Sequence, residues 1–254
     1  MPQDSRQKKL KVKFFAVSPK TRLVSGMAVP WRVEKIAIFE DNFVFVIHNE
    51  VDAILVDPGE ASAVVAFLKK AQLNCRMILI THHHADHVMG VSEISNKYSC
   101  PVYGPLKNQD QLLSLVTDWL KDGDRINFQD LHFTVFEWPG HTLGHLAFWC
   151  ADQKWLFSGD VIFSLGCGRL FEGSFEQMFG TLQKLKSLPA ATQIFCTHDY
   201  FPANQRFCQY EKIPIEGYRP EHPLILEQEK KYNPFLKAAT VEEFQSVRER
   251  RNQF

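Results

Sequence analysis

The segment 81–87 concentrates metal-binding side chains in this chain. It reads Thr-His-His-His-Ala-Asp-His, so four histidines and one aspartate stand within seven residues. Neutral imidazole and carboxylate are ligands that Zn²⁺, Fe²⁺ and Mn²⁺ accept in proteins. Burying so many titratable groups together would be costly without a cation to compensate them. The segment therefore predicts a metal site rather than a solvated polar loop.

Other ligand-type residues follow apolar runs later in the chain. They are His141 in Pro-Gly-His-Thr-Leu-Gly-His, Asp160 in Ser-Gly-Asp, and His198 in Cys-Thr-His. Active sites of layered α/β proteins gather at loops that leave strand ends, so segments distant in sequence can meet there. We therefore predict that these loops converge with 81–87 on one site.

The predicted elements around these residues alternate short β-branched or aromatic runs with turn residues and helical patterns. The metal-binding segment should occupy the loop directly after the apolar strand 77–80. The pattern implies two half-sheets flanked by helices, with a small helical region beyond Tyr200. Strands are predicted at 33–39, 43–48, 53–56, 77–80, 101–103, 125–128, 131–137, 146–150, 154–157 and 193–196, and helices at 61–72, 88–97 and 175–187.

Composition excludes several classes of partner. The 29 basic residues balance the 29 acidic ones, so no global field attracts nucleic acid or an anionic membrane. No apolar run approaches the roughly 18 residues of a membrane span. The six cysteines form no Cys-x-x-Cys pair, which favours buried, reduced thiols and a cytoplasmic location.

The first 26 residues carry seven Lys or Arg against one Asp. They contain neither a long apolar stretch nor a small-residue cleavage site, which argues against a secretory signal. A poorly formed organellar transit peptide stays open. We favour a disordered basic tail, residues 1–30, or an upstream start with Met27 as the natural first residue.

The spacing of the ligand-type residues resembles that of the metallo-β-lactamase superfamily. The resemblance covers about residues 31–200 and implies an α+β fold, an αββα sandwich. It assigns His82, His84 and His141 to one metal ion, Asp86, His87 and His198 to a second, and Asp160 to both. His83 stands at a variable position of the motif and is not expected to be a ligand. Asp57 and His145 match positions that hold the ligands in place through hydrogen bonds.

Two neighbouring cations would share a water and lower its pKa, so that a bridging hydroxide attacks a carbonyl or phosphoryl centre. Asp86 and Asp160 are the expected catalytic carboxylates. The metal ions are expected to be zinc, with iron and manganese as alternatives.

Residues flanking the metal motifs resemble the hydroxyacylglutathione hydrolases (glyoxalase II), from Trp31 almost to the end of the chain. The matching segments are 160–173, which ends Gly-Arg-Leu-Phe-Glu-Gly, then 232–237, Tyr-Asn-Pro-Phe-Leu-Lys, and 250–254, Arg-Arg-Asn-Gln-Phe. This family hydrolyses S-D-lactoylglutathione to D-lactate and glutathione. By resemblance, Arg169, Phe171, Tyr200 and Lys237 would contact glutathione, whose carboxylates suit charge-assisted hydrogen bonds.

The chain also departs from that family. Phe171 replaces an aromatic hydroxyl, Asp199 follows His198 where Glu is usual, and the stretch between Cys208 and His222 is short. His-Asp-Tyr at 198–200 and Ala85 favour the alternative of a mononuclear iron glutathione persulfide dioxygenase. A hydrolase of another ester and a metal-binding protein without catalysis also stay open. We expect a catalytic domain at 31–200, a helical glutathione-binding region at 201–254, and a monomer.

Overall fold

The computed structural model describes residues 12–13 and 29–254. Val12–Lys13 forms a short strand, β1, and the rest of the predicted tail before residue 29 lies outside the described residues. The chain then builds two β-sheets, one from each half, with helices between and after the strands.

The first sheet runs in chain order. Its first three strands are antiparallel neighbours, and the later ones are joined in parallel. Its strands are β2 (Arg32–Ile38), β3 (Asn42–His48), β4 (Asp52–Val56), β5 (Asn74–Leu79), β6 (Val102–Pro105) and β7 (Asp118–Leu120).

The second sheet has the order β1-β8-β9-β10-β11-β14-β15. Its centre is antiparallel, except that β11 and β14 run in parallel. A separate two-stranded hairpin, β12–β13, follows β11. The strands are β8 (Arg125–Phe128), β9 (Leu131–Glu137), β10 (Leu146–Cys150), β11 (Trp155–Gly159), β12 (Ile162–Phe163), β13 (Gly166–Cys167), β14 (Gln193–Cys196) and β15 (Leu224–Ile225).

The helices lie in the connections and in the C-terminal region. Among those in the described part of the chain, none combines the length and the apolarity needed to cross a bilayer. They are α1 (Ala61–Lys70), α2 (Ala85–Val88), α3 (Val91–Tyr98), α4 (Gln109–Leu112), α5 (Phe175–Lys186), α6 (Phe201–Tyr210), α7 (Leu226–Tyr232), α8 (Pro234–Lys237) and α9 (Val241–Gln253), with a 3₁₀ turn at Leu106–Asn108.

Strand β3 explains the layering, because it is apolar on both faces. Alternate side chains of a strand point to opposite faces. Phe45 and Ile47 join the core between the two sheets, while Val44 and Val46 pack with α1 and α3. The second sheet is covered in the same way on its outer face by α5 and α9. The predicted αββα sandwich with a helical C-terminal region is therefore confirmed.

Two local features differ from the predictions. The metal-binding segment is only partly a loop, because Asp86 and His87 lie in α2. This short helix packs tightly against the turn after β4: a Cβ on Gly59 would stand 1.7 Å from the Asp86 carbonyl oxygen. The predicted helix 88–97 is accordingly broken at Gly90, whose N–H donates to the Pro58 carbonyl at 3.0 Å.

Candidate metal centre

The ligand-type residues lie in loops and one helical turn at a single edge of the sandwich. The segment after β5 carries the first cluster, and loops after β9, β11 and β14 carry the other residues. Backbone contacts join the two halves here: Leu146 N–H donates to the Thr81 carbonyl at 2.8 Å, and Asn42 pairs with His198. Residues far apart in sequence therefore converge.

Ring nitrogens of three histidines face one another at the first group. His84 Nδ1 lies 3.0 Å from His82 Nε2 and 3.0 Å from His141 Nε2. His82 and His141 are buried, whereas His84 is half-buried and faces the cavity described below. These atoms could act as ligands to one metal ion.

A second group combines Asp86, His87 and His198. Asp86 Oδ2 lies 3.5 Å from His87 Nε2 and 3.3 Å from His198 Nε2. Asp160 lies between the two groups, since its Oδ2 is 3.3 Å from His141 Nε2 and 3.4 Å from His198 Nε2. The seven predicted ligands thus occupy one place in the fold.

Each buried histidine of the cluster is held by a hydrogen bond on its outer nitrogen. His141 Nδ1 donates to the Arg169 carbonyl at 2.7 Å, and His198 Nδ1 donates to Asp41 Oδ1 at 2.8 Å. His82 Nδ1 lies 3.0 Å from the hydroxyl of Thr81, which itself donates to Asp57. In the neutral form of these rings the proton is on Nδ1, and Nε2, which faces the centre, is left as the ligand atom.

The predicted supporting residues, Asp57 and His145, both contact the cluster. Asp57 has φ of 50°, a left-handed conformation that Asp tolerates, and its Oδ2 accepts from His87 Nδ1 at 3.0 Å. His145 Nε2 accepts the backbone N–H of Asp160 at 3.1 Å. They fix the orientation of residues at the centre of the site.

The sequence reasoning missed Asp41 and Asn42. Asn42 Nδ2 donates to Asp86 Oδ2 at 2.7 Å, and Asp41 accepts from His198 Nδ1. These two neighbours therefore hold one ligand-type residue from each half of the chain. Both residues stand in the β2–β3 turn region, and only the tertiary fold brings that turn to the cluster. The sequence signal that could have pointed to them is an acidic residue beside an amide residue in a tight turn.

Burial keeps one set of histidines neutral. It is the largest cause that lowers the pKa of His84 to about 4 and holds the pKa of His82 well below its ordinary value, with the neighbouring histidines acting in the same direction. Burial also lowers the pKa of His141. Neutral imidazole is the form that coordinates a metal ion.

Carboxylates dominate around the other histidines. Burial lowers the pKa of His198, but hydrogen bonds to Asp160 and Asp86 outweigh it and raise that pKa to about 11. At His87, the charges of Asp160 and Asp57 likewise outweigh burial and raise the pKa. Burial opposes ionisation of Asp160, yet the nearby histidines hold its pKa far below the ordinary value. A divalent cation would balance the same carboxylates.

The donor set fits a divalent metal centre. His87 Nε2 and Asp160 Oδ1 are buried without a hydrogen-bond partner and lie 3.4 Å apart. The ligand atoms of each group lie within 4.8 Å of one another: three ring nitrogens in the first group, and two ring nitrogens with a carboxylate oxygen in the second. This composition suits zinc, iron or manganese. His83, by contrast, points to Glu172, with its Nε2 3.3 Å from Oε1.

A cavity of about 420 Å³ opens over the His/Asp cluster. Of the predicted substrate-binding residues, it is lined by Arg169, Phe171 and Tyr200. The Phe171 ring is 61% exposed and stands edge-on to His84 and His141, with ring centroids 5.3 Å apart in both pairs. The structure does not bring Lys237 to this cavity: that exposed side chain borders a different one, with Pro234 and Arg250.

Residues of the C-terminal region that the sequence reasoning left unassigned also line the cavity. Arg248 and Arg251 stand three apart on α9, a spacing that puts both side chains on one helix face. Arg251 Nε donates to Asn204 Oδ1 at 3.0 Å. Burial and the charge of Arg248 lower the pKa of Arg251. The further lining residues are Phe163, Cys167, Asn204 and Asn252.

Comparison with known proteins places this geometry in a family. Residues 38–198 match the family model described as the metallo-beta-lactamase superfamily. The chain is 46% identical over 250 residues to the hydroxyacylglutathione hydrolase of Bdellovibrio bacteriovorus, covering 89% of this chain and 99% of that protein. It is 40% identical over 232 residues to the protein of the same name from Vibrio cholerae, covering 85% and 90% of the two chains.

Solved structures share the fold. The BLEG-1 B3 metallo-beta-lactamase matches with a TM-score of 0.69 and 25% identity over 82% of this chain and 100% of its own. ETHE1 from Myxococcus xanthus matches with a TM-score of 0.69 and 24% identity over 86% and 90%. Superfamily and donor set together indicate divalent metal binding. The chain belongs to the hydroxyacylglutathione hydrolase family of the metallo-beta-lactamase superfamily.

Proposed function

We propose that this protein is a binuclear metal-dependent thioesterase that hydrolyses S-(2-hydroxyacyl)glutathione, such as S-D-lactoylglutathione. Relatives at 37–46% identity over most of the chain carry the name hydroxyacylglutathione hydrolase. The observation that carries the proposal is one cavity lined both by the His/Asp cluster and by three guanidinium groups.

The three guanidinium groups suit the peptide part of the substrate. Among the described residues, no salt bridge pairs Arg169, Arg248 or Arg251 with a carboxylate of the chain. Glutathione has two carboxylates, which guanidinium groups bind by charge-assisted hydrogen bonds. We assign these arginines to that role, with Tyr200 and Phe171 beside the peptide. Lys237 borders a different cavity and is left out of this role.

His82, His84 and His141 would hold one divalent ion, and Asp86, His87 and His198 the other, with Asp160 shared. We favour zinc, with iron or manganese as alternatives. When bound, the ions supply Lewis acidity for the thioester carbonyl and a more acidic water.

The residues of the chain do the remaining work. Asn42 and Asp41 orient Asp86 and His198, while the arginines orient the substrate. Asp86, whose side chain is 38% exposed, faces the cavity. Burial opposes its ionisation, but the hydrogen bond with His198 and the charge of His87 hold its pKa far below the ordinary value, so it stays a carboxylate that can accept a hydrogen bond from water and orient it. Water oxygen replaces sulfur on the acyl carbon and the C–S bond breaks. One proton of the water goes to the sulfur of glutathione, and the second passes to solvent as the 2-hydroxy acid leaves as a carboxylate.

The two parts of the chain have different roles in this reaction. Residues 31–200 form the catalytic part, and residues 201–254 supply Asn204, Arg248 and Arg251 to the cavity. We propose that the protein acts as a monomer in the cytoplasm.

Metal content and product formation test this function together. The purified protein should contain two metal ions per chain by elemental analysis and release thiol from S-D-lactoylglutathione. Asp160→Ala should lose metal and activity, because this buried carboxylate reaches both ligand groups. One iron per chain with O₂ uptake on glutathione persulfide would instead establish a dioxygenase, and a metal-loaded protein inert to both compounds would be non-catalytic.

A further inference from the structure

The turn of the β12–β13 hairpin is enclosed by the C-terminal region. Asn233 Nδ2 donates to the carbonyls of Phe163 and Gly166 at 3.2 and 2.9 Å. Asn204 Nδ2 donates to the Ser164 carbonyl at 3.0 Å. The Ser164 hydroxyl and the Leu165 N–H meet Tyr218 and Glu229.

Glu229 is at the centre of this contact. Its side chain is fully buried and accepts from Leu165 N–H at 3.1 Å and from the Tyr218 hydroxyl at 2.5 Å. It also lies 2.9 Å from Asn233 Nδ2, whose two hydrogens it shares with the two carbonyls of the turn. The Tyr218 hydroxyl also lies 2.5 Å from Ser164 Oγ. A buried carboxyl that meets three donors is a specific arrangement, since removing it would leave donors unsatisfied in the interior.

The turn needs such support because its backbone is strained. Leu165 has φ of 56°, the left-handed region that a branched apolar residue rarely adopts. Strained conformations of this kind persist where the surroundings fix them. Gly166 is equally constrained, because a Cβ there would stand 2.3 Å from Asn204 Nδ2. The network around Glu229 therefore determines the shape of the turn.

The turn leads directly into the basic side of the cavity. Cys167 ends the hairpin, its carbonyl accepts from Arg248 Nη1 at 2.9 Å, and Arg169 follows two residues later. Asn204 joins the turn to Arg251 through its two amide atoms. Arg248 and Arg251 thus contact this hairpin or the residue that holds it, and Arg169 follows the hairpin directly in the chain.

We propose that Glu229 is a positioning residue that fixes the 163–166 turn and through it the arginines that bind the anionic peptide part of the substrate. The inference rests on the proposed function. Glu229 itself does not line the cavity, and burial, which outweighs its hydrogen bonds, raises its pKa to about 7.

Most of the contacts that hold the His/Asp cluster lie outside the Glu229 network. Asp160 is fixed through His145, and His198 through Asp41, whereas His141 alone of these is tied to the segment after the hairpin, through the Arg169 carbonyl. Loss of Glu229 should therefore weaken binding of glutathione more than it slows the chemical step, which raises KM while kcat changes little.

Three variants test this role. In Glu229→Leu, the turn loses its acceptor at similar side-chain volume, and KM for S-D-lactoylglutathione should rise about tenfold or more. In Glu229→Gln, one oxygen can still accept from Leu165 while the amide donates to Tyr218, so KM should return close to that of the wild type. Leu226→Ala is the control, because it removes a buried side chain from the same helix but no hydrogen-bond partner of the turn.

A substrate without the peptide carboxylates isolates the effect. The kcat/KM for S-D-lactoyl-N-acetylcysteamine should be the same in Glu229→Leu as in the wild type, and metal content should be unchanged. Equal losses with both thioesters, or an unchanged KM in Glu229→Leu, would overturn the positioning role. If Glu229→Leu does not fold, Tyr218→Phe replaces it as the test variant. It should also raise KM for S-D-lactoylglutathione, by a smaller factor.

Two readouts do not depend on hydrolysis. Glu229→Leu should weaken the binding of glutathione in calorimetry and speed amide hydrogen exchange in residues 163–167, whereas Leu226→Ala should do neither. A wild type that releases no thiol would refute the proposed function alone, and these comparisons would still decide whether Glu229 positions the turn. Unchanged exchange and binding in Glu229→Leu would refute the inference alone.

Discussion

Arg169 makes a local contribution to the site through two separate parts of the residue. Its carbonyl holds His141, whereas its side chain is exposed and lines the cavity, with the guanidinium carbon 5.6 Å from the centre of the Phe171 ring. A change at the side chain should therefore leave the histidine in place. A substitution of the Arg169 side chain therefore tests substrate binding alone.

We predict that Arg169→Ala raises KM for S-D-lactoylglutathione by roughly five- to tenfold, as expected for one partly exposed charge-assisted hydrogen bond. The kcat and metal content should change little. Lys237→Ala is the matched control. This exposed basic residue borders another cavity, so the KM of the Lys237→Ala variant should stay at the wild-type value. Steady-state kinetics at constant ionic strength would measure both. A KM unchanged in Arg169→Ala, or raised equally in both variants, contradicts this assignment.

The residue types explain what could be predicted at this scale. His82, His84 and Asp86 could be predicted as ligands, because their side chains are of metal-binding types and stand at close spacing. Arg248 gives no such signal, since an arginine on a charged C-terminal helix resembles any solvated residue. Its place in the cavity follows from the packing of α9 beside α5 and α8, which only the tertiary structure reveals.

At the scale of elements, helix α7 carries a titratable group that affects stability. Burial raises the pKa of Glu229 from 4.5 to about 7 in the folded protein. The groups that face it are the Tyr218 hydroxyl, Asn233, and the thiols of Cys196 and Cys208, whose pKa values its charge helps to raise. The folded state therefore binds this proton more tightly than the unfolded chain does.

We predict that the free energy of unfolding falls as pH rises from 4.5 to 7, relative to Glu229→Gln. The contribution of Glu229 is fully present below pH 4.5 and lost once pH passes about 7, because the native pKa is the higher one. The difference between the two proteins should change by on the order of 3 kcal/mol across this window. Urea unfolding at several pH values, with constant metal loading, would measure it. Parallel pH profiles for the two proteins would contradict the buried-carboxyl interpretation.

The elements themselves were predictable where apolar periodicity is strong. Strand β3 and helix α1 follow from their patterns, and their observed bounds differ from the prediction by two residues at most. The β12–β13 hairpin was not predicted, because two-residue strands have no periodicity and Leu165 gives no turn signal. Its conformation is set by side chains more than 35 residues away, such as Asn204 and Glu229.

At the scale of the whole molecule, the candidate metal centre joins the two halves of the sandwich. Ligand-type residues of the first half, such as His82 and His87, are fully buried against Asp160 and His141 of the second. The unfolded chain has no such preformed site. A metal ion that binds the native state alone should therefore stabilise the entire fold.

We predict that removing the metal with a chelator lowers Tm by about 5–15 °C, and that added Zn²⁺ restores it. Binding at 100 to 1,000 times Kd is worth about 3–4 kcal/mol, and each kcal/mol shifts Tm by about 2–4 °C in a protein of this size. Arg169→Ala should show the same shift, because its side chain is not a ligand. Asp160→Ala should show little or none, because it removes the carboxylate that lies 3.3 Å from His141 and 3.4 Å from His198. Calorimetry with parallel elemental analysis measures both quantities, and an unchanged Tm after proven metal loss would mean that the two halves hold together without the ions.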